Sequence, residues 1–253
     1  MVLLFGCHAP IVTSHAPDDL ALDYVGTRSL HDRARGAVYA LTDDAVVAID
    51  PASGKPRWSV PAKGDELTGA GPFLAVIGTK SWNEKALSLV RPDGQLAATC
   101  LLTIPAPEAA NTVEVTPFGV DGIVYVFYLT WRFSEGGGHA PELDTVRREE
   151  AVARRARSCG LVRLDLGNGC RAVVEDLERF NLQRCEDSTN PADYLAPLAK
   201  VRPTSSATPL PVEERTVHGA DPLDQVVQLV GRRGAVVTWQ LELNHYREPA
   251  QIP

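Results

Sequence analysis

Residues 36–58, GAVYALTDDAVVAIDPASGKPRW, decide the fold of this 253-residue chain. Two short apolar runs, Ala37–Leu41 and Ala45–Ile49, are separated by Thr-Asp-Asp, which is the pattern of a β-hairpin. A second turn follows at once, in which Pro51 fixes φ and Gly54 supplies a positive φ. Trp58 stands where a third strand begins. The stretch therefore predicts consecutive antiparallel strands.

The same pattern recurs along the chain at a spacing of about 40 residues. A second copy has apolar runs at 72–78 and 86–90 and a turn that ends at Gly94. A third copy begins at Val113, turns at 121–122 and continues to a further turn that ends at Gly169. A fainter fourth copy covers 226–243. Several strands in each unit, repeated at this period, are typical of β-propeller blades.

The later copies depart from the first at the position of Trp58. Ala98 and Val173 occupy that position in the second and third copies, and Trp239 lies one place past it in the fourth. Inner runs such as VVAID are apolar at successive positions, which indicates strands buried on both faces. We therefore predict an all-β fold, a β-propeller-like array of about four four-stranded blades that is a partial or truncated ring.

The pattern Ala48-x-Asp50-x-x-x-Gly54-x-x-x-Trp58 resembles the tryptophan-docking motif of PQQ-like β-propeller repeats, with Ser53 in place of the usual Thr. The resemblance implies that the Trp packs against a neighbouring blade and that the Asp and Gly hold the turn. The blade-docking positions it implies are Ala48, Asp50, Gly54, Trp58, Asp165 and Gly169.

The N-terminal residues predict the cellular compartment of the protein. Residues 1–7, MVLLFGC, resemble the end of a bacterial lipoprotein signal, with Cys7 as the lipidated residue; the alternative is a short apolar strand or tail. We expect residues 1–20 to be a tether and 21–253 to be one propeller-type domain, with a strand at 20–25 completing the last blade. The predicted location is the periplasm or the outer membrane.

Motifs for chemistry are missing from the sequence. The quinoprotein dehydrogenases of this fold have a pair of adjacent cysteines, but the cysteines here stand singly at 7, 100, 159, 170 and 185. C-x-x-C, G-x-S-x-G, H-E-x-x-H and P-loop patterns do not occur, and His8 and His15 match no metal-ligand spacing. We therefore predict no catalytic, cofactor-binding or metal-binding residues. A disulfide between Cys170 and Cys185 is expected in an exported chain.

Two insertions, 134–158 and 185–223, interrupt the repeats. The first contains Arg147, Arg148, Arg154, Arg155 and Arg157, which are candidates for contact with an acidic partner or lipid headgroups; the alternative is a solvated helix or mobile loop. A net charge of −7 argues against nucleic-acid binding. No apolar run is long enough for a membrane helix, so membrane contact is expected only through a lipid anchor.

The resemblance to BamB-like outer-membrane assembly lipoproteins implies a cofactor-free scaffold that binds a protein partner in the cell envelope. Two alternatives stay open. One is a quinoprotein-type enzyme or its cofactor-less remnant, and the other is a structural subunit of a larger envelope complex.

Overall fold

The fold is taken from a computed structural model. It describes residues 20, 22–132, 155–180, 210–219 and 224–247. The predicted all-β class is confirmed, because the strands in these ranges number sixteen and form four antiparallel sheets. The helical elements in the same ranges include two short 3-10 helices, Leu166–Asn168 and Leu177–Phe180.

Each sheet is a meander, in which strands that follow one another in the chain pair with each other. Sheet A contains β1 to β5, which are Leu22–Tyr24, Ser29–Asp32, Ala37–Leu41, Ala45–Ile49 and Pro56–Pro61. Sheet B contains β6 to β9, which are Glu66–Ala70, Phe73–Ser81, Glu84–Val90 and Leu96–Thr103. Sheet C contains β10 to β13, which are Thr112–Val120, Ile123–Trp131, Ser158–Asp165 and Arg171–Glu175. Sheet D contains β14 to β16, which are Val212–His218, Asp224–Arg233 and Val236–Arg247.

The turns follow the chemistry of their residues. The loop between β10 and β11 is the two-residue turn Asp121-Gly122, with φ of 52° and 75° and Val120 opposite Ile123. Positive φ at both positions gives the backbone twist that matches two paired strands.

Apolar side chains between the sheets fix the spatial order D–A–B–C. One core joins A and B and includes Leu41, Val60, Leu74 and Val90. A second core joins B and C, and a third joins A and D through residues such as Ile49 and Leu243. Sheets A and B are each packed on two sides, which explains why their inner strands are apolar on both faces.

The sheets have two distinguishable ends. The docking end contains the turns before β5, β9 and β13, which close at Gly54, Gly94 and Gly169. The opposite end, which we call the cavity end after the cavity that opens there, contains the turn at residues 42–44 between β3 and β4, the connection from β5 to β6, and the turn at 82–83 between β7 and β8.

One predicted strand pairs differently from our expectation. The strand expected at 20–25 is observed as Leu22–Tyr24, but it pairs with β2 in sheet A and does not complete the last sheet. It is held there because Leu22 lies in the core between A and B and the Tyr24 hydroxyl lies 2.8 Å from Thr68 Oγ1. Most of both insertions and residues 1–19 lie outside the described residues. No helix in the described ranges is long and apolar enough to cross a membrane.

Candidate functional site

Trp58 links sheet A to sheet B. It lies on the last strand of sheet A, where its indole Nε1 donates to the carbonyl of Pro92, 3.0 Å away, in the turn of sheet B. Its ring stacks on Tyr39 at a centroid distance of 5.7 Å. The ring also covers Gly94, where a Cβ would lie 2.8 Å from the indole. Gly94 thus serves two purposes, because its φ is 89° and its bare α-carbon admits the ring.

Trp239 makes the same contact between sheets D and A. Its indole Nε1 donates to the carbonyl of Pro51 at 3.0 Å, and a Cβ on Gly54 would lie 2.5 Å from its ring. The sequence alignment placed Trp239 one residue past the docking position. The structure places it at the equivalent contact, because Trp239 lies opposite Gly231 as Trp58 lies opposite Ala48. The extra residue comes from the turn: the β15–β16 ladder continues to Arg233 opposite Val236, so the turn glycine Gly234 precedes Trp239 by one residue more than Gly54 precedes Trp58.

A disulfide makes the equivalent link between sheets B and C. Cys100, on the last strand of sheet B, is bonded to Cys170, directly after the turn of sheet C, with 5.4 Å between their α-carbons. The expected pairing of Cys170 with Cys185 is therefore wrong. Cys159 is disulfide-bonded as well. The pairing of Cys100 depends on which sheets are neighbours, and spacing in the sequence does not carry that information.

The other implied docking positions hold turns or contribute to the core. Asp50 accepts from the Ser53 backbone at 2.9 Å and from the Arg57 guanidinium at 3.1 Å, and these bonds lower its pKa to about 2. Asp165 binds the Asn168 side chain, and Gly169 closes that turn with a φ of 69°. Ala48 is buried in the core between A and B.

A polar cavity of about 290 Å³ opens at the other end of the sheets. It lies where sheets A, B and D meet. Its wall includes five charged side chains and one amide, which are Arg28, Asp43, Lys63, Asp65, Lys80 and Asn244. None of them was predicted from the sequence, because they come from several strand ends and turns, with only Lys63 and Asp65 in the same connection, and no local motif joins them.

Arg28 is the buried charge of this cavity. The residue is 4% exposed. Its guanidinium donates to the carbonyls of Leu41 at 3.5 Å and Gly64 at 3.4 Å, and no carboxylate of the described residues lies within ion-pair distance of it. A buried cation is stable in a protein when hydrogen bonds or an anion compensate for its lost hydration. Two long hydrogen bonds to carbonyls supply part of that compensation.

The backbone around Arg28 is fixed by Glu214 of sheet D. Glu214 accepts from the Ser29 hydroxyl at 2.6 Å, the Arg28 backbone N–H at 3.1 Å and the Thr27 hydroxyl at 3.3 Å. A Cβ on Gly26 would collide with the Glu214 carboxylate. This carboxylate is committed to the chain at 27–29, so it positions Arg28 without pairing with its guanidinium.

The first insertion rejoins sheet C at the cavity end. Thr130 Oγ1 donates to the Ala156 carbonyl at 2.9 Å and accepts from the Ser158 backbone at 3.0 Å, and Ala156 is fully buried. Arg155 is exposed beside this anchor. Of the predicted partner-binding residues, Arg155 and Arg157 are brought to this end of the sheet, whereas Arg147, Arg148 and Arg154 lie outside the described residues, as does Cys7.

Within the described ranges, no group of three or more His, Cys, Asp or Glu side chains is arranged to hold a metal ion.

Comparison with known family models and with curated proteins finds no match. The similarity of this chain to solved structures is distant, as two examples show. Hydrazine synthase from Kuenenia stuttgartiensis is 9% identical, with a TM-score of 0.32 over 80% of this chain and 57% of that one. The uncharacterized protein lmo1340 from Listeria monocytogenes EGD-e is 8% identical, with a TM-score of 0.24 over 88% of this chain and 65% of that one. The chain thus spans less than two thirds of either protein.

Proposed function

We propose that the chain is an exported, cofactor-free scaffold of the β-propeller type that binds a protein partner in the cell envelope through the cavity end of its sheets. The observation that carries the proposal is the anchor at Thr130. The arginine-rich insertion joins sheet C at this anchor, beside the exposed Arg155. Long loops on a rigid scaffold are common binding elements.

Two further observations support the proposal. Two tryptophans and one disulfide connect successive sheets at the same end of each sheet, as expected for blades of one repeat type. Disulfides persist mainly in oxidising compartments, which supports export. A lipid anchor at Cys7 and an outer-membrane or periplasmic location belong to the same proposal.

The test is co-purification from an envelope extract. Replacing Arg147, Arg148, Arg154 and Arg155 by Ala is expected to leave the thermal unfolding midpoint unchanged, because the proposal assigns these charges to partner binding; Arg155 is exposed, and exposed charges contribute little stability. The yield of the partner is expected to fall, most strongly at low salt, where charges are least screened.

A matched control removes four positive charges at the docking end. Its substitutions are K55A, R91A, R171A and R233A, all at exposed positions. This variant is expected to retain the partner at the wild-type yield. Equal partner yields from the wild type and from the variant in the insertion would overturn the proposed binding surface.

A further inference from the structure

We propose that the cavity around Arg28 is a binding site for a small monocarboxylate, whose carboxyl group pairs with the Arg28 guanidinium. This site lies at the same end of the sheets as the protein-binding surface proposed above, but it is lined by residues of sheets A, B and D, whereas the arginine-rich insertion joins sheet C. It would make the scaffold a small-molecule binder as well.

Arg28 has hydrogen-bond donors that the described residues leave unused. A guanidinium has five N–H donors, and the two bonds to Leu41 and Gly64 use two of them. The remaining three have no acceptor among the described residues. They belong to a side chain that lies in the wall of the cavity and is held in place by the Glu214 contacts at 27–29. A planar carboxylate matches this fork with two parallel hydrogen bonds.

The charge of the cavity wall favours a ligand with one negative charge. Arg28, Lys63 and Lys80 carry three positive charges, and Asp43 and Asp65 carry two negative charges. None of these five pairs with another at ion-pair distance. Asp65 accepts from the Thr79 backbone at 3.2 Å. One excess positive charge suits a monoanion, and the two carboxylates disfavour a dianion such as hydrogen phosphate.

The volume of the cavity limits the size of the ligand. A cavity of about 290 Å³ is at the small end of the range for ligand sites, which is roughly 300–1,000 Å³. It therefore suits an acid of a few heavy atoms. The Asn244 amide, whose residue is 8% exposed, is a further polar contact within the same wall.

The experiment measures binding of acetate, glycine and inorganic phosphate to the purified full chain at constant ionic strength, by calorimetry and by ligand-observed NMR. We expect saturable binding of acetate or glycine and weaker binding of phosphate. Because a charge-assisted hydrogen bond contributes about 1.5–3 kcal/mol, Arg28→Gln is expected to weaken carboxylate binding roughly 10- to 100-fold.

Arg28 is buried, so its replacement can also impair folding. The second variant is therefore Lys63→Ala with Lys80→Ala, both at exposed positions of the wall. It is expected to keep the fold and to weaken binding roughly 2- to 10-fold. Lys55→Ala with Arg91→Ala, at the docking end, is the matched control and is expected to bind like the wild type.

Three results would overturn the proposal. They are no saturable binding of either carboxylate, carboxylate binding that both cavity variants leave unchanged, and phosphate binding more tightly than acetate and glycine. The first two would make Arg28 a purely structural link between β3 and the segment before β6. The third would replace the carboxylate with a phosphate ligand.

Discussion

Replacing Gly94 by Ala tests whether Trp58 is docked on the turn of sheet B as the structure shows. Two separate effects are expected. A positive φ disfavours any residue with a Cβ by about 1 kcal/mol. The new methyl group would also lie 2.8 Å from the indole, so the ring must move. Moving it breaks its hydrogen bond to Pro92 and weakens its stacking on Tyr39, at about 1 kcal/mol each. The expected total is a loss of about 3 kcal/mol.

The turn at 121–122 provides the control for the backbone effect. Gly122 has a φ of 75°, and a Cβ there would meet nothing within 4 Å. Gly122→Ala is therefore expected to cost about 1 kcal/mol, which isolates the contribution of φ. The difference between the two glycine variants, about 2 kcal/mol, measures the steric contact with Trp58.

A double-mutant cycle with Trp58→Ala completes the test. Trp58 is partly buried, so its removal is expected to cost about 3 kcal/mol, near the low end for buried aromatic residues. Without the ring, Gly94→Ala should cost only its φ strain, and the double variant should lose about 4 kcal/mol. Additivity would give about 6 kcal/mol.

Urea unfolding of the oxidised protein gives the four free energies, with coincident fluorescence and circular dichroism transitions as the two-state check. A coupling energy below about 0.5 kcal/mol would show that the ring does not dock on this turn. So would a Gly94→Ala variant that is no less stable than Gly122→Ala.

Two further predictions concern the other stabilising features of the docking end. Replacing Cys100 and Cys170 by Ala is expected to lower the free energy of unfolding by about 4 kcal/mol, because the bond closes a loop of 70 residues. Non-reducing peptide mapping should recover a Cys100–Cys170 peptide, and recovery of a Cys170–Cys185 peptide in its place would contradict the structure. Asp50→Asn should destabilise the protein at neutral pH, because the Ser53 and Arg57 contacts lower the Asp50 pKa from 3.8 to about 2 and so favour the ionised, folded form. This margin should stay constant above about pH 4 and vanish as the pH falls through about 2; a margin that is unchanged at pH 2 would contradict the assigned contacts.

Local sequence predicted the elements that depend on local geometry. The turns at Asp50–Gly54 and Asp121–Gly122 follow from residues that adopt turn conformations whatever surrounds them. The position of Trp239 was missed by one residue because the turn before β16 is tighter than the turn before β5, which changes the count from the turn glycine without changing the contact. The cavity could not be predicted, since Arg28, Glu214 and Asn244 meet only after sheets A and D have packed together.

The three links between sheets show how one repeat tolerates loss of its docking residue. In sheet A the ring of Trp58 and the core residue Val60 lie two positions apart and face the same neighbouring sheet. In sheet B the same two positions are Ala98 and Cys100, and both face sheet C. Ala98 is too small to reach the turn, but Cys100 faces the same way and reaches Cys170. A covalent bond thus replaces an aromatic contact between neighbouring sheets. The stability of the junction between sheets B and C therefore depends on an oxidising environment, whereas the stability of the two junctions formed by Trp58 and Trp239 does not.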